Sequence, residues 1–134
     1  MSVFTEAERA YLGGQLLGRL STLAPDGSPH NRPVGFAWNA EFDTIDIGGH
    51  NLAASRKYRN IVADPRVSLV VDDLASTNPW SPRGIEVRGT AEVLTAEPLR
   101  PGFTSDLIRI HPVRVLAWGL DMGAFAPPRA RNVG

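Results

Sequence analysis

The sequence predicts a mainly β fold: a closed antiparallel barrel of six strands with one or two short helices. Three observations lead there. Ile85, Val87, Gly89, Ala91 and Val93 alternate with Glu86, Arg88, Thr90 and Glu92, the period-2 pattern of a half-buried strand. Pro25-Asp26-Gly27-Ser28 is a tight-turn sequence, with Pro presetting φ and Gly accepting φ > 0. Only one helical crossover is visible, whereas a doubly wound sheet needs several.

The elements follow in order. Thr5-Glu6-Ala7-Glu8 reads as a capping box, with Thr5 as N-cap and Glu8 at N3. The helix it starts weakens at Gly13-Gly14. A first strand covers about Leu17 to Ala24. The second places Val34, Phe36 and Trp38 on one face and the small residues Pro33, Gly35 and Ala37 on the other, where a flat ligand has room to lie. A short third strand lies around Thr44-Ile47 and ends at Gly48-Gly49. Asn51 is expected to cap a helix over about Leu52 to Ala63, which Asp64-Pro65 ends. Val67 to Val71 is a buried strand, residues 74–82 form a loop rich in Ser, Asn and Pro, and residues 97–103 form a connection. The last strand runs from about Ile108 to Trp118. The tail after Met122, rich in Ala, Pro and Arg, is read as mobile.

A chain of 134 residues is expected to form one domain, residues 1–134, without internal repeat or linker. Hydrophobic residues are 43% and charged residues 21%, a globular balance. Without cysteine there is no thiol nucleophile, thiolate metal site or disulfide, which suits a reducing cytoplasm. The formal net charge of +0 argues against nucleic acid as a partner. No apolar run reaches the roughly 18 residues of a membrane span, so a cytoplasmic protein is expected. His30, His50 and His111 are scattered with no carboxylate at ligand spacing, so no metal is expected. Asp72 and Asp73, adjacent on a strand, point to opposite faces and read as solvated or turn-forming residues. Trp38, Trp80 and Trp118 read first as core or interface anchors, with loop residue Trp80 an alternative pocket wall.

The densest basic cluster is Ser55-Arg56-Lys57-Tyr58-Arg59-Asn60. Lys57 is the only lysine among 14 basic residues. Near a helix start, unpaired backbone N–H groups, an arginine fork and a lysine point charge all suit an anion. A solvated basic helix face is the other reading of the same residues.

From Gly48-Gly49-His50 through Ser55-Arg56-Lys57 and Asn60 to Ala63-Asp64-Pro65-Arg66-Val67-Ser68-Leu69, the chain resembles the pyridoxamine 5′-phosphate oxidase-like superfamily. The resemblance extends back to Asp26-Gly27-Ser28-Pro29-His30 and Arg32-Pro33-Val34-Gly35-Phe36, and forward to Gly84 through Glu92. It implies a split β-barrel that binds FMN or the deazaflavin coenzyme F-420. It implies cofactor-binding roles for Arg32, Pro33, Val34, Gly35, Gly49, Ser55, Arg56 and Lys57, with Arg32, Arg56 and Lys57 on the phosphate and Pro33, Val34 and Gly35 along the ring. The chain departs from the oxidases in having Ala37 where they carry Lys, and in lacking their basic C-terminal region. Its closing Ile110 to Gly119 segment, with Trp118-Gly119, is more similar to the short deazaflavin-dependent branch. The resemblance therefore implies a reductase passing hydride from reduced coenzyme F-420 to an unsaturated small molecule. An FMN-dependent oxidase or flavin reductase and a non-catalytic flavin carrier are the alternatives. It also implies a homodimer with a shared cofactor cleft; no catalytic side chain is identified.

Overall fold

The computed structural model describes residues 1–134. Helix α1 (Glu6–Gly13) opens with the predicted capping box: Glu8 N donates to Thr5 Oγ1 at 3.1 Å, and Thr5 N donates to Glu8 Oε1 at 3.0 Å. Strands β1 (Leu17–Leu23) and β2 (Pro29–Gly35) form an antiparallel hairpin whose turn uses Gly27 at φ 84°. Strands β3 (Ala37–Asn39) and β4 (Thr44–Ile47) form a second. A 3-10 turn (Leu52–Ala54) and helix α2 (Arg56–Ala63) follow. The long strands β5 (Arg66–Thr77), β6 (Trp80–Thr95) and β7 (Asp106–Trp118) are succeeded by the short β8 (Arg129–Asn132).

All pairings are antiparallel, in the order β2-β1-β5-β6-β7-β4-β3, with β8 also on β7. The two ends of that order, β2 and β3, are joined through the single residue Phe36, so the chain itself closes the barrel. Alternation fills the interior: Leu20, Leu69, Val71, Ile85, Val87, Ile108, Ile110 and Val115 are each at most 1% exposed. Each such side chain contributes about 1.5–3 kcal/mol on removal from water.

The sheet has eight strands where six were expected. The second expected strand is two, because β2 pairs with β1 while β3 pairs with β4. The chain changes partner at the buried Phe36 without breaking its period-2 alternation, so the sequence reads as continuous. The tail adds the other strand: β8 pairs with β7, and Arg131 Nη1 reaches the buried Glu8 of α1 at 2.9 Å. Polar ties across 123 residues order it, and these leave no local pattern.

Two other expectations change. Residues 74–82 are no loop but the end of the β5–β6 ladder, turning at Asn78-Pro79. Leu74 and Trp80 are exposed there, so no buried face imposes alternation. The expected Asn51-capped helix is divided at Ser55, whose extended backbone (φ −79°, ψ 152°) separates the 3-10 turn from α2. Asn51 adopts a left-handed conformation and makes no side-chain cap.

Candidate functional site

The division at Ser55 builds the site. Ser55 is the N-cap of α2; its Oγ accepts from Tyr58 N at 3.3 Å and donates to Leu52 O at 2.6 Å. Arg56 and Lys57 are thus the first two helical residues, where backbone N–H groups have no acceptor within the helix. Buried Ile61 and Asn60 seat α2 on the barrel.

These residues meet β1 and β2 across a cleft of about 640 Å³. Leu20 and Thr22 of β1 stand opposite Arg32 and His30 of β2 in the ladder, and all four line the cleft with Asn31, Ser55, Arg56 and Lys57. At its base, Asn60 Nδ2 donates to Thr22 Oγ1 at 3.0 Å and lies 3.3 Å from His30 Nδ1. The buried Asn60 Oδ1 has no protein donor. His30 Nε2 is 3.4 Å from Ser28 Oγ, which donates to Asp26 at 2.6 Å.

The charge of this cleft is uncompensated. Arg32, Arg56 and Lys57 form no ion pair, and no carboxylate lines the walls. Burial, with the neighbouring Arg32 guanidinium, holds the Lys57 ammonium below the ordinary lysine value. Cations gathered without a counter-charge at a helix start are suited to an anion that brings its own. A flavin-type phosphate fits this donor set: two guanidinium groups, one ammonium and two free backbone amides.

Of the eight residues expected to bind cofactor, Arg32, Ser55, Arg56 and Lys57 converge here. The others lie elsewhere. Val34 is buried in the core, Pro33 is exposed, and Gly35 is half-buried with Arg100 Nη2 3.9 Å from where a Cβ would stand. Gly49 lies beyond β4, its carbonyl accepting from Thr104 N at 3.1 Å. His30, Asn31, Leu20 and Thr22 were not anticipated as lining residues. His30 is two residues from Arg32 and so shares its strand face, but Leu20 and Thr22 emerge only from the β1–β2 register.

Asp72 and Asp73, expected to be solvated or turn-forming, are instead ion-paired within β5, the exposed Asp72 with Arg19 at 2.6 Å and the half-buried Asp73 with Arg83 at 2.7 Å. His111 pairs with Glu92 at 2.9 Å on the exposed face.

Residues 4–126 match the pattern of the family described as pyridoxamine 5′-phosphate oxidase. The chain belongs to that family. It is 39% identical over 132 residues to a 5a,11a-dehydrotetracycline/5a,11a-dehydrooxytetracycline reductase of Streptomyces rimosus, covering 97% of this chain and 93% of that one. A solved structure described as an F-420 reductase is 25% identical, with TM-score 0.65, over 84% of this chain and 98% of its own. A conserved hypothetical protein of Mycobacterium tuberculosis shares the fold at TM-score 0.68 and 24% identity, over 88% of this chain and 86% of its own. Family and relatives together support the class of oxidoreductase. No helix is long and apolar enough to cross a membrane.

Proposed function

We propose that this family member is a reductase that binds the deazaflavin coenzyme F-420 and reduces an unsaturated organic substrate. The observation that carries the reading is the cleft at the start of α2, with its three unpaired cations and no carboxylate. The names of the Streptomyces reductase and the F-420 reductase support the choice of chemistry and cofactor. In this reading Arg32, Arg56 and Lys57 hold the phosphate oxygens, and the Arg56 and Lys57 amides complete the cradle. Ser55 fixes where those amides point, because its hydroxyl is engaged in the cap. The Thr22–Asn60–His30 contacts set the base of the cleft. Pro33, Val34 and Gly35 belong to the same reading as backbone neighbours of the ring, and Gly49 as a further cofactor-binding residue.

Bound there, the cofactor would supply hydride to a substrate carbon, and a solvent proton would complete the saturated product. The protein's part is to bind, orient and exclude water. The same reading includes a homodimer with a shared cofactor cleft, which light scattering of the purified chain checks.

Parallel titrations with FMN and oxidised coenzyme F-420, followed by the reduced deazaflavin with a panel of enones, test the proposal. Tighter F-420 binding and enone-dependent reoxidation are expected. Preference for FMN would replace the cofactor assignment, and tight F-420 binding without reoxidation by any enone would make the protein a carrier.

A further inference from the structure

A second groove opens between α1 and β3, with a volume of about 320 Å³. Leu12, Leu16, Phe36 and Trp38 supply apolar walls, and Arg9 and Arg100 are its only charged lining residues. The two guanidinium groups differ in what holds them. Arg9 donates through Nη1 to Phe4 O at 2.6 Å and lies 5.9 Å from the Trp38 ring centroid. Arg100 makes no side-chain hydrogen bond and no ion pair, so its donors are free. Its Nη2 reaches over half-buried Gly35, the last residue of β2.

The groove shares a run of chain with the cationic cleft. Arg32 lines the first and Phe36, Ala37 and Trp38 line the second. Ala37 follows Arg32 by five residue steps, roughly 16 Å at the rise of a strand. A cofactor held by its phosphate at Arg32 and extended along this strand would have its ring toward the second groove. The volume is at the lower end for small-molecule pockets, and walls that are aromatic and aliphatic suit a flat ring.

We propose that this groove is the substrate pocket and takes a flat unsaturated ring compound bearing an acidic oxygen, carboxylate or ionised enol, beside Arg100. The substrate role rests on the reductase reading; the binding of an anionic ring rests on the groove alone. Apolar walls recognise the ring, and a guanidinium with five free donors recognises the charge. Arg9, fixed by Phe4 O and Trp38, adds a second positive charge. A basic ligand is disfavoured because no acidic group faces the groove.

The test is equilibrium binding of 2-naphthoate and of neutral 2-naphthamide to the full chain, followed by quenching of tryptophan fluorescence. Saturable quenching by naphthoate is expected, with the amide at least about tenfold weaker and with Trp38→Phe removing most of the signal. Arg100→Gln is expected to erase the preference for the acid while the weak amide binding persists. Ten millimolar inorganic phosphate is expected to leave naphthoate bound. Equal binding of acid and amide, a preference that survives Arg100→Gln, or displacement by phosphate would each overturn the inference. FMN and coenzyme F-420 titrations on the same protein keep the two ideas separate. Failed cofactor binding with naphthoate still held sinks the reductase reading alone, while lost acid preference with cofactor held sinks this inference alone.

Discussion

Replacing Lys57 by methionine keeps much of the side chain's apolar length and removes one of three cations from the cleft beside α2. In the ligand-free protein that charge has no carboxylate partner, and it sits partly buried near Arg32. Its folded-state value is depressed, so between that value and the ordinary lysine value the unfolded chain binds more protons. Stability therefore rises with pH across that window, and at neutral pH the ammonium works against folding. Lys57→Met should leave thermal stability unchanged or raise it. Cofactor binding should move the other way. A hydrogen bond to a charged group is worth about 1.5–3 kcal/mol, which corresponds to roughly a 10- to 100-fold increase in Kd. Fluorescence titration of coenzyme F-420 against wild type and variant, paired with thermal melts of both without ligand, measures the two effects. The wild-type affinity should also fall more steeply with added salt than the variant's. A Lys57→Met protein that melts lower yet binds cofactor equally well would refute the reasoning, because Lys57 would then be a structural residue.

Other consequences can be read from stability and pH. Asp46, which is 3% exposed, is bound by Arg109 at 3.0 and 3.1 Å and by Asn39 and Thr44; Asp46→Ala leaves that guanidinium unpaired and should cost about 3–5 kcal/mol. A melting point that falls by less than a few degrees would contradict this. Ser55→Ala removes the cap of α2 and should cost about 1 kcal/mol of stability; cofactor affinity should fall with it, because the Arg56 and Lys57 amides lose their fixed direction. The Arg83 guanidinium holds Asp73, and the Arg88 guanidinium holds Glu86, below the usual carboxylate range. The stability they contribute is full above the unfolded carboxylate values, near pH 4, and is lost as pH falls through the lower folded values. Denaturant melts of Arg83→Gln between pH 5 and 2 should show a shallower loss than wild type.

What the sequence reveals of this fold follows from which interactions are local. The α1 capping box needs only residues three apart, and the β6 alternation needs only one buried face, so both are readable. The exchange of partners at Phe36 is invisible because the residues around it alternate as in any strand. The outer half of the β5–β6 hairpin is hidden for the opposite reason: both faces meet solvent, so no periodicity marks the ladder. The site divides the same way. Ser55, Arg56 and Lys57 stand together in sequence, and only the family resemblance connects Arg32 with them. Thr22 and Leu20 join them only through the register of β1 with β2. Arg9 and Arg100 share a groove although their numbers differ by 91, a meeting no local pattern records.

The contact between Arg131 and Glu8 has a bearing on the order in which the molecule is completed. Glu8 belongs to the first helix, yet its charge is neutralised only by a residue 123 positions later. During synthesis α1 emerges early carrying a carboxylate that cannot be buried alone without a large desolvation penalty. Its final seating must wait until almost the whole barrel has been made and β8 has paired with β7. One wall of the groove holding Arg9 and Leu12 is therefore among the last surfaces to settle. Changes confined to the tail, far in sequence from either cleft, reach that wall directly.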